Sequence, residues 1–172
     1  GEATGWPATD WLEDVLLRDA GADVYDQWVA HEIAFNDPAV VGALDRVGGI
    51  LKNDKYVNGG FGDVKSIATT TFQDGGLPIT EGKCAMHRQA SFIPAFFPEG
   101  KQDEADFFYF PSFASKKLGN PVLGGGTIMT ITKDSKGARA WMEYLMHPQA
   151  SEIWMAEGGF LTPHKGADLN KY

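Results

Sequence analysis

The chain has 172 residues, of which 43% are hydrophobic and 12% aromatic, so it is long enough to bury a core. Its 15 basic and 23 acidic side chains give a net charge of −8, which argues against nucleic acid or an anionic membrane as partner. A single cysteine, Cys84, excludes an internal disulfide and a multi-cysteine zinc site. No run approaches the roughly 20 apolar residues that a membrane-spanning helix needs.

Two helices are predicted at the start of the chain. Residues 6–19 form the first, since Pro7 suits a first helical turn and Gly21 suits the stop. Residues 24–31 form a second, shorter helix that carries Tyr25 and Trp28.

A third helix is predicted from the Asp37-Pro38 step to about Lys52, with aspartate as its cap and proline as its first residue. Its apolar positions recur at helical spacing and mark the face expected to be buried. These positions are Val40, Leu44, Val47 and Leu51.

Three strands are predicted in the second half, at 84–87, 106–110 and 122–132. In the last of these, alternating isoleucine, methionine and threonine indicate a strand buried on both faces. Loops are expected at 58–63 and 113–121, and the final helices at 136–147 and 148–157, before Gly158-Gly159. Short strands alternating with longer helices predict an α/β fold, a single module with helices packed on a short sheet.

Phosphate and metal sites are not indicated. Five residues separate Gly76 from Gly82 where a phosphate-binding loop requires four, and Cys84 stands where that loop needs serine or threonine. Cys84 and His87 have the spacing of half a zinc site, but the second pair is missing. We therefore expect no cofactor and no metal.

Four segments carry a resemblance to a known family. They are GWPATDWLEDVLLRDAG (5–21), FNDPAVVGALDRVGGIL (35–51), MHRQASFIPAFFPEG (86–100) and GGGTIMTITKDSKGARAWMEYLMHPQASEIWMAEGGFLTP (124–163). Together they resemble the extracellular solute-binding proteins of carbohydrate ABC importers, family 1, in its alpha-glucoside-binding branch. The resemblance implies a periplasmic-binding-protein-like fold and covers almost the whole chain.

The resemblance also implies a role and a setting. We expect the chain to be part of a non-enzymatic protein that binds an α-glucoside or small oligosaccharide and delivers it to the permease subunits of an ABC transporter. Such a protein is periplasmic or extracellular, held at the membrane by the transporter or a lipid anchor, and monomeric when intact. Family members are over twice this length and have two lobes. Residues 1–172 are therefore expected to be a partial module, with a crossover between lobes near 122–135.

The resemblance directs attention to two residues at the start of the first helix. Trp6 and Asp10 lie one turn apart on the same face, so an indole ring and a hydroxyl acceptor could both meet a sugar. The alternative interpretation is structural: Trp6 packs at the helix entrance and Asp10 is an acidic partner for the first turn. Trp11, one position further round, is expected in the core.

A second candidate group follows the predicted strand at 84–87. His87, Arg88 and Gln89 would place planar donors at the carboxyl end of that strand, where α/β proteins bind ligands. Arg88 could instead neutralise nearby carboxylates. Gly125 and Gly126 could let the backbone approach a ligand closely, or could simply form a flexible strand entry.

Two other functions stay open at this point. The first is a glycoside-processing enzyme, which would need two carboxylates about 5–9.5 Å apart, and no acidic pair in the sequence is distinguished. The second is a truncated lobe without ligand affinity, which would self-associate through the apolar surface exposed at its boundary.

Overall fold

The computed structural model describes residues 1–57, 62–113 and 118–171. The predicted loops at 58–63 and 113–121 therefore lie partly outside the described residues. The chain divides into two compact units: unit 1 comprises residues 1–87 and 104–124, and unit 2 comprises residues 88–103 and 125–172. Each unit thus consists of two separate stretches of sequence.

Unit 1 is built on two packed helices, α1 (Trp6–Ala20) and α3 (Pro38–Leu51), with the short α2 (Ala22–Val29) between them in sequence and packed on α1. Pro7 lies in the first turn of α1, and Gly21 follows its last residue with φ of 92°. A positive φ is readily adopted only by glycine, so Gly21 ends α1 and lets α2 start at once. These features agree with the sequence prediction.

Helix α3 begins where the Asp37-Pro38 step predicts. The Asp37 carboxylate accepts a hydrogen bond of 2.9 Å from the Ala39 N–H, which satisfies one of the free donors at the helix start. Leu44 is 40% exposed, so its predicted burial is wrong, and Ala43 takes the buried place instead. The core of unit 1 consists of Leu12, Val15, Leu16, Val40, Ala43 and Val47.

Arg18, on the last turn of α1, is buried and 3% exposed. Its guanidinium contacts the Asp14 carboxylate at 2.9 Å and donates to the backbone oxygens of Phe110 and Pro121 at 3.4 and 3.1 Å. The same group lies over the Phe110 ring at 4.7 Å and over the Tyr109 ring at 5.3 Å. One side chain therefore fastens two distant stretches of irregular chain to α1.

The rest of unit 1 is a series of short turns. The Asp63 carboxylate accepts from the Lys65 N–H at 2.8 Å and starts a 3-10 turn, Val64–Ala68. A second 3-10 turn, Asp74–Gly76, runs directly into the single-turn helix α4 (Leu77–Thr80).

Unit 2 contains α5 (Lys136–Leu145) and α6 (Pro148–Ala156), which pack on each other, and 3-10 turns at Ile93–Phe96 and Leu169–Lys171. A further 3-10 turn covers Gln102–Glu104, where unit 2 gives way to unit 1. The Ser135 hydroxyl accepts from the Ala138 N–H at 3.1 Å and caps α5. Gly158 and Gly159 have φ of 82° and 72° and end α6 as predicted.

The predicted α/β fold with a short sheet is wrong: the described residues are helical, with no strand. Residues 84–87, 106–110 and 122–132 are irregular and make no ladder hydrogen bonds. Ile128, predicted to be buried, is 85% exposed. Alternation in sequence favours a strand, but a strand forms only when a second segment presents its own N–H and C=O groups. No described segment does so here.

Candidate functional site

The predicted ligand-binding residues are divided between the two units. Trp6, Asp10 and His87 belong to unit 1, whereas Arg88 and Gln89 begin the first stretch of unit 2. Gly125 and Gly126 begin the second stretch of unit 2. The assignment of these residues to a ligand site stays a prediction, as does the lobe crossover near 122–135.

Trp6 is the first residue of α1 and is half-buried. Its ring and that of Phe72 are in an edge-to-face arrangement, with 5.2 Å between ring centroids and 60° between planes. Aromatic pairs favour this edge-to-face arrangement because the positive edge of one ring meets the negative face of the other. Trp6 is therefore held by a neighbour, and part of its surface still reaches solvent.

Asp10 lies one turn after Trp6 on α1 and is also half-buried. The intervening Thr9 hydroxyl donates to the Trp6 carbonyl at 2.7 Å, which satisfies an acceptor within the first turn. The predicted shared face of Trp6 and Asp10 follows from the helix that the structure places there.

The segment before α1 lies along residues 66–75. The Glu2 N–H donates to the Ile67 carbonyl at 2.8 Å, and the Ala3 N–H donates to the Thr70 carbonyl at 3.1 Å. Beside this segment is an open depression of about 210 Å³, which we call the threonine depression. It is lined by Ser66, Thr69, Thr70, Thr71 and Asp74.

His87 is half-buried and lies against Gly75. A side chain at Gly75 would place its Cβ 3.4 Å from the His87 Cε1 atom and 2.9 Å from the Gly1 nitrogen. The second distance is shorter than real Cβ contacts, so glycine is required at position 75 for this packing. His87 thus lies next to the residues that line the threonine depression.

In unit 2, Arg88 and Gln89 are half-buried. The Gln89 side-chain oxygen accepts from the Ala90 N–H at 3.0 Å, so this amide is oriented by its own backbone. Gly125 and Gly126 are exposed, and a Cβ at either position would meet no atom within 4 Å. Close packing against the described residues therefore does not explain why these two positions are glycine.

Two tryptophans on the final helices are exposed. Trp141 on α5 is 58% exposed and stacks on Tyr144, with ring centroids 5.7 Å apart. Trp154 on α6 is 45% exposed and stacks on Phe160 at 4.3 Å, with only 6° between planes. Trp11 contacts the core of unit 1 and meets the Phe110 ring edge-on, in agreement with its prediction.

The sequence analysis missed Phe72 as the partner of Trp6 and overlooked Thr71 and Asp74. The sequence feature that could have indicated them is the run of three threonines followed by Phe-Gln-Asp at 69–74, a polar cluster interrupted by one aromatic ring.

Within the described residues, no group of three or more His, Cys, Asp and Glu side chains is arranged to hold a metal ion. No helix in the same part of the chain is long and apolar enough to cross a bilayer.

Comparison with known proteins gives matches to binding proteins over the full length of this chain. The alpha-glucosides-binding periplasmic protein AglE of Rhizobium meliloti is 53% identical over 177 aligned residues, which cover all of this chain and 38% of AglE. The osmoprotective compounds-binding protein GgtB of Synechocystis is 42% identical, again over all of this chain and 41% of its own length.

A more distant relative is an uncharacterized ABC transporter extracellular-binding protein of Pyrococcus horikoshii, 22% identical over the whole chain and 37% of its own length. No family model and no solved structure matches the chain. The chain spans about two fifths of the length of these curated relatives. The resemblance seen in the sequence is confirmed: along its whole length, the chain is similar to a segment of extracellular solute-binding proteins of ABC transporters.

Proposed function

We propose that the chain is a segment of a longer solute-binding protein that binds an α-glucoside or small oligosaccharide and delivers it to the permease of an ABC importer. The observation that carries this proposal is the 53% identity, over every residue of the chain, to a protein named for binding alpha-glucosides. The protein acts in the periplasm or outside the cell, held near the membrane by the transporter or a lipid anchor. It is a monomer when intact.

The geometry around Trp6 is compatible with a saccharide. An indole ring that is braced by Phe72 yet half-exposed offers a flat apolar surface to the C–H face of a pyranose. The nearby threonine depression offers hydroxyl groups and one carboxylate, which can pair with sugar hydroxyls. A neutral ligand also fits a segment of net charge −8, since these 172 residues carry no excess of positive charge to attract an anion.

We propose that the protein is not an enzyme. The named relatives at 53% and 42% identity are both binding proteins, and binding alone suffices for delivery to a transporter. A chromogenic α-glucoside tests the glycosidase alternative directly. Steady release of the chromophore by the purified protein would overturn this part of the proposal.

A second ligand class is favoured by one observation, the 42% identity to a protein named for binding osmoprotective compounds. Trehalose and sucrose are α-glucosides that also serve as compatible solutes, so they belong to both classes. Glycine betaine, a zwitterion without hydroxyl groups, belongs only to the class of osmoprotective compounds. A ligand panel that contains all three separates the two interpretations.

The test is calorimetric titration of the full-length protein with maltose, trehalose, sucrose, longer α-glucosides and glycine betaine. We expect saccharide binding in the micromolar range, about −8 kcal/mol. Absence of heat and of any thermal shift with every saccharide would reject the sugar assignment.

Substitutions test which candidate residues contribute to saccharide binding. Trp6→Ala should weaken saccharide binding several-fold through lost stacking, about 1 kcal/mol or more. Arg88→Ala should weaken it about tenfold or more, because hydrogen bonds from a charged donor are worth about 1.5–3 kcal/mol. Trp141→Ala is the matched control, since this exposed tryptophan is not a predicted ligand residue. Unchanged affinity in either test variant removes that residue from the site.

The isolated chain is a separate case. It exposes large apolar side chains, among them Phe107, Val122 and Ile128, at 94%, 77% and 85%. Exposed apolar surface promotes association. We therefore propose that residues 1–172 alone bind saccharide weakly or not at all and self-associate, which light scattering after size-exclusion chromatography measures.

A further inference from the structure

The threonine depression of unit 1 has a chemical character of its own. The Thr71 hydroxyl donates to the Asp74 carboxylate at 2.8 Å and accepts from the Asp74 N–H at 3.1 Å. The Thr70 hydroxyl donates to the Ser66 carbonyl at 2.7 Å. The protons of these two hydroxyls are therefore directed to protein acceptors, so toward a ligand these two oxygens act as acceptors.

Such a surface recognises a molecule rich in hydrogen-bond donors. Asp74 is exposed, and its carboxylate has acceptor capacity beyond the Thr71 contact. It is the single carboxylate among the described residues that line the depression, and three of the other lining residues are threonines. One charge among hydroxyl and methyl groups suits a neutral sugar, which presents both O–H donors and C–H surface, better than a multivalent cation.

Phe72 connects the segment that lines the depression with the Trp6 ring. Phe72 lies between Thr71 and Asp74 in sequence, and its ring contacts Trp6 at 5.2 Å. The backbone before α1 is fixed to the same segment by the Ala3 hydrogen bond to Thr70. The Trp6–Phe72 pair and the Thr71 and Asp74 acceptors thus belong to segments that contact each other within unit 1.

We propose that Asp74 and Thr71, together with the Trp6–Phe72 pair, form a subsite for one sugar residue of the ligand. Asp74 accepts hydrogen bonds from sugar hydroxyls, and Thr71 is a positioning residue that orients the carboxylate. A volume of about 210 Å³ is below the roughly 300–1,000 Å³ of complete ligand pockets, as expected for one subsite. This assignment rests on the proposed saccharide-binding function and adds residues to the same site.

The experiment measures maltose and its monodeoxy analogues by calorimetry in the full-length protein, with three variants. Asp74→Asn keeps the shape and removes the charge, and should weaken maltose binding about tenfold. Thr71→Val keeps the volume and removes the orienting hydroxyl, and should weaken it by a smaller factor. Asp54→Asn, at an exposed carboxylate in the turn after α3, is the matched control and should leave affinity unchanged.

The deoxy analogues separate contact from a structural effect. If Asp74 contacts a hydroxyl, the analogue that lacks this hydroxyl binds the wild type weakly and loses little further affinity in Asp74→Asn. Equal losses for every analogue would mean that Asp74 acts through the fold, which overturns the contact. Melting temperatures of all variants should stay within about 2 °C of the wild type.

The remaining outcomes are also decisive. Normal maltose binding by Asp74→Asn overturns the subsite and leaves the proposed function standing. A wild type that binds no saccharide overturns both. Binding of glycine betaine with loss of affinity in Asp74→Asn, but no saccharide binding, would replace the sugar subsite with a site for a cationic group.

Discussion

The buried guanidinium of Arg18 allows a quantitative test of how unit 1 is held together. Arg18 and its ion-pair partner Asp14 are 3% and 6% exposed, and their charged atoms are 2.9 Å apart. Replacing Arg18 with methionine keeps much of the volume but removes the positive charge beside a buried carboxylate. Loss of one partner from a buried pair costs about 3–5 kcal/mol, so Arg18→Met should lower the free energy of unfolding by that amount.

The assay is urea unfolding of the full-length protein, followed by circular dichroism. Arg46→Met provides the matched control. Arg46 also pairs with an aspartate, Asp19, at 3.1 Å and lies over an aromatic ring, but its side chain is 44% exposed. Exposed pairs are worth about 0–1 kcal/mol, so this control should unfold nearly as the wild type does.

A double variant tests whether the uncompensated Asp14 carboxylate causes the loss of stability in Arg18→Met. Replacing Asp14 with leucine in the Arg18→Met background removes the buried carboxylate, so part of the lost stability should return. The reasoning is refuted if Arg18→Met costs no more than Arg46→Met. It is also refuted if the double variant is less stable than Arg18→Met alone, since the penalty would then not come from the uncompensated charge.

Three further predictions concern unit 1. Leu16→Ala should cost about 2–5 kcal/mol in urea unfolding, because Leu16 is 0% exposed in the core, and a cost below 1 kcal/mol would contradict that packing. Asp37→Ala should cost about 1 kcal/mol by removing the α3 cap, while Asp37→Asn should retain most of it. Burial, together with a hydrogen bond to Glu13, raises the pKa of Tyr25, so folding favours the protonated phenol. Stability should therefore fall as the pH rises above about 10, where the unfolded tyrosine ionises, and Tyr25→Phe should lessen this fall. If the stability of the wild type and of Tyr25→Phe fell equally steeply with pH, Tyr25 would be excluded as the cause.

The helices could be predicted because their signals are local. Proline in the first turn of α1, aspartate before α3 and glycine after α6 each act on backbone groups within one turn. The buried face of α3 was only partly predicted. Alanine at position 43 is small enough to lie against α1, whereas Leu44 points further round the helix and stays 40% exposed.

The absence of strands from the described residues could not be predicted from local pattern. A strand depends on a second segment that may be distant in sequence, and alternation at 122–132 says nothing of whether such a segment is present. The exposed Trp141 and Trp154 show the same difficulty, since hydrophobic spacing predicts a contact surface but not its partner.

The helical positions of Trp6 and Asp10 could be predicted, but the neighbours of Trp6 could not. Trp6 and Asp10 lie near the start of α1 as the spacing indicates, but Phe72 could not be assigned as a neighbour because 66 residues separate it from Trp6 in the numbering. The threonine depression likewise results from turns at 64–76, whose compact geometry is not visible as a periodic pattern.

The hydrogen bonds of Arg18 also have a consequence for biosynthesis. They reach across 92 and 103 residues of sequence, to Phe110 and Pro121. A nascent chain emerging from the ribosome can form α1, α2 and α3 while both acceptors are still untranslated. Because such distant contacts carry a large loop-closure cost, this corner of the molecule is completed late, and a ribosome stalled before Pro121 would display an unfinished unit 1.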